Sequence, residues 1–249
     1  MIFPIGDDNS DRTITPVVNY LLIAINVLVF VFLQGMGNNE KFTYAYSTVP
    51  QEIRTGQDVD KPVVVEMAGQ RGTINLQPTP GSVYLTLLTS MFMHGGWMHL
   101  FGNMLFLWIF GDNLENVLGH GRYLIFYLLT GLIASLAHVV STFMFDGNPY
   151  IPSLGASGAI SGVLGGYLLL FPKRQVRVIM LRMLTTVPAI VAIGLWFVLQ
   201  LISAFGVINA GPQSGGGVAF MAHVGGFIAG LVFIKFFAIG RGTTGPTAA

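Results

Sequence analysis

Two short motifs hold the polar atoms in this chain that could do covalent chemistry: Gly155-Ala156-Ser157-Gly158 and Ala222-His223-Val224-Gly225-Gly226, each opening an apolar run. A serine hydroxyl is a poor nucleophile until a neighbouring base takes its proton, and a neutral imidazole is the usual base. Inside membrane helices, polar side chains are costly unless they pair or work, so Ser157 and His223 are functional candidates. They stand far apart in the chain, so two separate helices must bring them together.

The composition supplies such helices. Charged residues make up 9% of the 249 positions and apolar ones 53%, with a mean hydropathy of +0.67. Soluble domains carry about 25% charged residues, so an all-α polytopic membrane protein is expected. A net charge of +1 offers no basic surface for nucleic acid, and with no cysteine there are no disulfides, thiol chemistry or Cys-ligated metal. Six spans are expected near residues 16–34, 96–115, 122–145, 157–171, 184–207 and 218–239 of a single membrane domain. Residues 35–95 are expected to form a long first outer loop and residues 240–249 a flexible tail. Residues 1–11 lack a basic region followed by a small-residue cleavage site, so no removable signal peptide is expected.

Orientation follows from the basic residues. Lys173, Arg174, Arg177 and Arg182 crowd the link between the fourth and fifth spans, which places that link and both termini in the cytoplasm. Spans two, four and six then run inward, and His99, Asn103, Ser157 and His223 all lie near their outer ends. From Ser157 to Phe171 the fourth span rises only roughly 22 Å, against a hydrocarbon core of about 30 Å. Ser157 therefore sits below the outer surface, in a cavity reached by water, with residues 149–154 filling the space above.

Small residues let the two helices meet. Gly158, Gly162 and Gly166 form a four-residue ladder on span four, and Ala222, Gly226 and Gly230 another on span six. His99 and Asn103, four residues apart, share one face of span two and can aim donors at one spot. With the Ser157 N–H at a helix start they make an oxyanion hole for a tetrahedral intermediate.

The chain resembles the rhomboid family of intramembrane serine proteases. The likeness rests on Gly155-Ala156-Ser157-Gly158, on His94, His99 and Asn103, on Gly121-Arg122, and on Ala222-His223 followed by Gly226 and Gly230. It implies a six-transmembrane-helix rhomboid-like bundle and a serine endopeptidase that cleaves transmembrane helices of other membrane proteins near the outer face. It also implies chemistry without a cofactor or metal. By this resemblance Ser157 is the nucleophile, His223 the general base, and His99 and Asn103 the oxyanion donors, with Gly155 and Ala156 beside them at the substrate. His94 pins the first loop, Glu115 ties down the inner end of span two, and Gly158, Gly162, Gly226 and Gly230 support the helix contact. Two features depart from the family pattern: residues 80–88 contain no Trp-Arg pair, and Ser161 stands where many members place an aromatic beneath the base.

Other chemistries fare worse. His94 and His99 are five apart with no HExxH, which supports zinc poorly, and Asp112 and Asp146 lie at span ends, unlike an aspartyl dyad. His138 is read as a structural hydrogen-bonding residue, His120 as solvated and Ser161 as packing. A catalytically inactive relative that binds or escorts transmembrane helices is the alternative. Partners are transmembrane substrates and membrane lipid, with oligomeric state open, and the compact chain fits the inner membrane of a prokaryotic cell. Trp196 and Phe197 are candidates for the bulky edge of a gate between spans two and five, and residues 211–217 for a lid.

Overall fold

The structure is a computed structural model and describes residues 2–67, 70–180, 183–210 and 220–240. It is mostly helical. Helix α1 (Val17–Leu28) continues through a wider turn to Leu33. The short helices α2 (Glu40–Tyr46), α3 (Pro50–Thr55) and α4 (Thr86–Thr89) follow. The long helices are α5 (Trp97–Leu118), α6 (His120–Met144), α7 (Ser157–Leu170), α8 (Ala189–Ala210) and α9 (Phe220–Phe237). Among the described residues, three segments are long and apolar enough to cross a membrane: His120–Met144, Ala189–Gly206 and Phe220–Phe237. Val17–Leu33 and Ser157–Leu170 are shorter apolar helices.

Helix α7 is the axis of the bundle. Every residue from Gly158 to Tyr167 is buried, because α5, α6, α8 and α9 all pack on it. Its lack of bulk is what makes this possible: small side chains let membrane helices approach until their backbones nearly touch. Large apolar side chains point outward instead on the surrounding helices, among them Leu21, Ile125, Val140, Leu199, Ile202 and Val232. An apolar exterior of this extent suits lipid rather than water.

The chain is not all-α. Strands β1 (Ile2–Asp7), β4 (Gln175–Met180) and β5 (Met183–Pro188) form an antiparallel sheet in the order β1-β4-β5, with a bulge between Pro4 and Gly6. The basic link read as a connection before span five is thus a hairpin, and α8 starts at Ala189 rather than near 184. Its cause is the period-two alternation of Val176 and Val178, both fully buried, with Gln175, Arg177 and Ile179 outward. The segment 35–95 is also more than a loop. Strands β2 (Pro62–Met67) and β3 (Gln70–Asn75) pair antiparallel, and Val65, Ile74 and Leu76 bury a small core of their own with Val49.

One end of the bundle is a polar knot. The carboxylate of Glu115 accepts the backbone N–H groups of Val18 at 2.9 Å and Asn19 at 2.7 Å, closing the start of α1 onto the end of α5. His120 is not merely solvated: its Nδ1 lies 2.5 Å from Glu115 Oε1. Arg12 pairs with Asp112 at 2.9 Å, and Arg174 pairs with Asp11. Arg122 donates to the carbonyls of Phe237 at 3.0 Å and Ile239 at 2.8 Å, capping the end of α9. The motifs that hold Ser157 and His223 lie at the opposite end.

Candidate active site

Ser157 is the first residue of α7 and His223 lies in the first turn of α9. Ser157 Oγ is 2.8 Å from His223 Nε2. The helix contact that allows this is asymmetric. A Cβ at Gly226 or Gly230 would overlap the carbonyl oxygen of Gly158 or Gly162 respectively, so the α9 ladder presses on the α7 backbone. The α7 ladder returns the contact only in part, through Gly166, where an added Cβ would stand 3.2 Å from Ile234 of α9. A Cβ at Gly158 would stand 2.7 Å from Ala134 of α6, and one at Gly162 would meet Thr130, also of α6. It is Gly165, outside the ladder, that makes room for Phe227 of α9. A stripe on a helix central to the bundle serves two neighbours, so four-residue spacing alone did not identify which helix it faced.

His99 and Asn103 sit one turn apart on α5, and both line a cavity of about 630 Å³ with Gly155, Ser157 and His223. His99 Nδ1 accepts the Gly95 N–H at 3.3 Å, which leaves the proton on Nε2 and makes that nitrogen a donor. A Cβ at Gly155 would lie 3.0 Å from His99 Nε2 and 3.5 Å from Ser157 Oγ, so both atoms border one small space. Gly155 keeps that space open, with φ +133 and its N–H held by the Ser90 carbonyl at 2.9 Å. Asn103 Nδ2 is buried and has no hydrogen-bond partner among the described residues. Ala156 does not join them: it is fully buried in the apolar core and is absent from the cavity wall. Its place just before the first turn of α7 turns its side chain into the bundle.

The loop above the site is braced. Thr48 and Ser153 exchange backbone hydrogen bonds at 3.0 and 2.8 Å, and Thr48 Oγ1 lies 2.9 Å from Ser90 Oγ. His94 contributes through its backbone, whose N–H donates to Gln34 Oε1 at 2.8 Å and whose carbonyl accepts from Gln34 Nε2 at 3.0 Å. Its ring nitrogens have no partner among the described residues, and the ring meets His99 edge-on at 5.2 Å. Burial, reinforced by His99, pushes His94 down to about 3, so the ring is neutral.

Other sequence candidates fall in several places. Ser161 Oγ donates to the Ser157 carbonyl at 2.6 Å. His138 lines the cavity, and among the described residues its ring makes no hydrogen bond, unlike the structural bond expected of it. Trp196 lies 6.1 Å from the His223 ring and 6.4 Å from Phe106 of α5, while Phe197 stacks on Phe227 at 4.0 Å. Residues 211–217, read as a lid, lie outside the described residues.

One residue escaped the sequence reading. Gln200 Oε1 of α8 lies 2.7 Å from His223 Nδ1. A signal existed: Gln200 is the only side-chain amide in the apolar run Ala189–Gly206, and such groups in membrane helices commonly bond across to a neighbour.

Comparison with known proteins identifies the family. The family model for the rhomboid domain matches residues 81–239. The chain is 32% identical over 216 residues to the rhomboid protease GluP of Bacillus subtilis, covering 86% of this chain and 34% of that protein. It is 36% identical over 99 residues to the human presenilin-associated rhomboid-like protein, mitochondrial, covering 40% of this chain and 26% of that protein. Rhomboid protein 1, mitochondrial, of Saccharomyces cerevisiae is 30% identical over 149 residues, 60% of this chain and 40% of that protein. The chain thus spans between a quarter and two fifths of the length of these relatives. The match covers well over half of the chain and includes all of α5, α6, α7, α8 and α9, and the chain belongs to the rhomboid family.

Proposed function

We propose that this chain is an intramembrane serine endopeptidase that cleaves transmembrane helices of other membrane proteins near the outer face. The observation that carries the reading is the 2.8 Å approach of Ser157 Oγ to His223 Nε2, two residues from separate helices at the wall of one cavity. Ser157 attacks the carbonyl carbon of the scissile peptide bond, and its proton passes to His223 Nε2. The carbonyl oxygen becomes an oxyanion held by His99 Nε2–H, Asn103 Nδ2 and the Ser157 N–H. His223 then returns the proton to the leaving amine, which departs and leaves an ester on Ser157. Water, deprotonated by the same imidazole, hydrolyses that ester.

The membrane placement belongs to the same reading. Helices α1 and α5 to α9 serve as six spans of one membrane domain, with the basic β4–β5 hairpin and both termini on the cytoplasmic side. The membrane is that of a prokaryotic cell, a reading supported by the protease of Bacillus subtilis, whose match covers 86% of this chain. The substrate helix enters between α5 and α8, where Met98, Phe106 and Trp196 line the cavity. It unwinds locally there, because an intact helix hides its carbonyls, so substrates with small or helix-destabilising residues near the interface are favoured.

The test is labelling with a fluorophosphonate in detergent, followed by peptide mapping, alongside cleavage of a reporter transmembrane substrate. Wild type carries the label on Ser157, and Ser157→Ala and His223→Ala each abolish both label and cleavage while leaving thermal melting unchanged. Label on Ser153 or Ser161 would assign the nucleophile elsewhere. No label and no cleavage in wild type would favour a helix-binding protein that is not an enzyme.

A further inference from the structure

A base that takes a proton at Nε2 must rest with its own proton on Nδ1, and its ring must be kept from turning. Ser157 alone secures neither, because a hydroxyl both donates and accepts and so bonds to Nε2 in either tautomer. Nearby groups contribute little. The Ser161 hydroxyl is committed to the Ser157 carbonyl at 2.6 Å. The rings of Trp196 and Phe220 stand 6.1 and 6.4 Å from that of His223, tilted by 39° and 90°, so neither stacks on it. No carboxylate lines the cavity among the described residues.

Gln200 Oε1, 2.7 Å from Nδ1, fills this role. An amide oxygen only accepts, so it bonds to a protonated Nδ1 and leaves the Nε2 lone pair facing Ser157 Oγ. We infer that Gln200 is the positioning residue of the base, fixing the tautomer and orientation of His223 from a third helix. The inference rests on reading Ser157 and His223 as the catalytic pair. Gln200 belongs to α8 and its partner to α9, so the base is held only while α8 packs against α9.

The experiment compares wild type with Gln200→Leu and Gln200→Glu. Each is assayed for the rate of fluorophosphonate labelling at Ser157, for kcat and KM on a reporter substrate, and for the His223 tautomer by ¹⁵N NMR. The His223 signals are identified by their loss in His223→Ala. Gln200→Leu lowers labelling rate and kcat about tenfold, the worth of one neutral hydrogen bond, with KM unchanged and the Nδ1-protonated tautomer no longer dominant. Gln200→Glu keeps an accepting oxygen at Nδ1 and recovers most of the rate. Wild-type rate and tautomer in Gln200→Leu would overturn the inference. So would a loss that appears in KM or in melting temperature and is not rescued by glutamate, since that marks a packing role. Absence of Ser157 label in wild type would instead overturn the catalytic pair itself.

Discussion

Gly226 of α9 faces the carbonyl oxygen of Gly158 on α7 across a gap with no room for a methyl group. The same relation recurs one turn deeper between Gly230 and Gly162. Gly226→Ala therefore forces the helices apart, since backbone on α7 cannot give way as a flexible side chain would. Overpacking of this kind costs about 1–3 kcal/mol. The loss of activity is larger than that cost implies, because the same displacement lengthens the Ser157–His223 hydrogen bond. Thermal melting and reporter cleavage measured on one preparation separate the two effects. Gly194→Ala on α8, where an added Cβ meets open space, is the control: it leaves cleavage unchanged and does not lower the melting temperature.

Glu115 makes a different kind of joint. Its two carboxylate oxygens each accept one of the free N–H groups at the start of α1, and Oε1 also meets His120 Nδ1. Helix N-termini leave such donors unpaired and favour negative charge beside them. Glu115→Gln keeps the shape but turns an NH₂ group toward a backbone N–H, so it destabilises the fold by about 2–4 kcal/mol. The damage falls at the end of α5 remote from His99. At temperatures below the lowered melting point, fluorophosphonate labelling of Ser157 proceeds at the wild-type rate.

Stability also depends on pH through the strand end of the molecule. Asp7 is only 6% exposed. Its Oδ2 accepts from Tyr167 at 2.5 Å and Asn113 at 2.7 Å, while Oδ1 has no partner among the described residues. Burial pushes this carboxyl up to about 7 against the opposing hydrogen bond from Tyr167, with Asp112 raising it further and Arg174 lowering it. Between an unfolded value of 3.8 and the folded one, the native state holds a proton that the unfolded chain has released. Stability is therefore greatest below about 4 and falls as pH rises through 7, by at most about 4 kcal/mol from this group. Glu52 is likewise pushed up to about 7 by burial, opposed by the Val59 N–H and aided by Asp58. The difference between wild type and Asp7→Asn isolates Asp7. The variant flattens the decline between pH 4 and 7 and is the more stable protein above 7, as read by melting across that range.

How much of this was written in the linear chain depended on the kind of signal. Helix α5 runs between Gly96 and Gly119, α6 starts just after Gly119, and α7 lies between Gly155 and Pro172, where chain punctuation and a change of polarity coincide. Ser157 and His223 could be paired on paper because each adjoins a small-residue ladder, although they lie 66 positions apart. The β4 strand was hidden because its alternating Val176, Arg177 and Val178 carry charges that read as a membrane-flanking link. Gln200 was hidden for the opposite reason. One amide in a long apolar helix has no partner in its own sequence neighbourhood, and only the packing of α8 on α9 brings it to an imidazole.

Asn103 gives the sharpest separation of stability from chemistry. Its Nδ2 is buried and bonds to none of the described residues. A donor left free by the described residues, on the wall of the cavity beside Ser157, suits a charge that exists only during reaction. Truncating such a group removes a desolvated dipole without breaking a hydrogen bond. Asn103→Ala thus leaves the melting temperature unchanged or higher, whereas kcat falls about 10²–10³-fold, the usual cost of one oxyanion donor. KM changes little, since the ground-state carbonyl gains less from the donor than the oxyanion does. A variant that lost stability and activity in parallel would show that the amide holds helices together rather than stabilising developing charge.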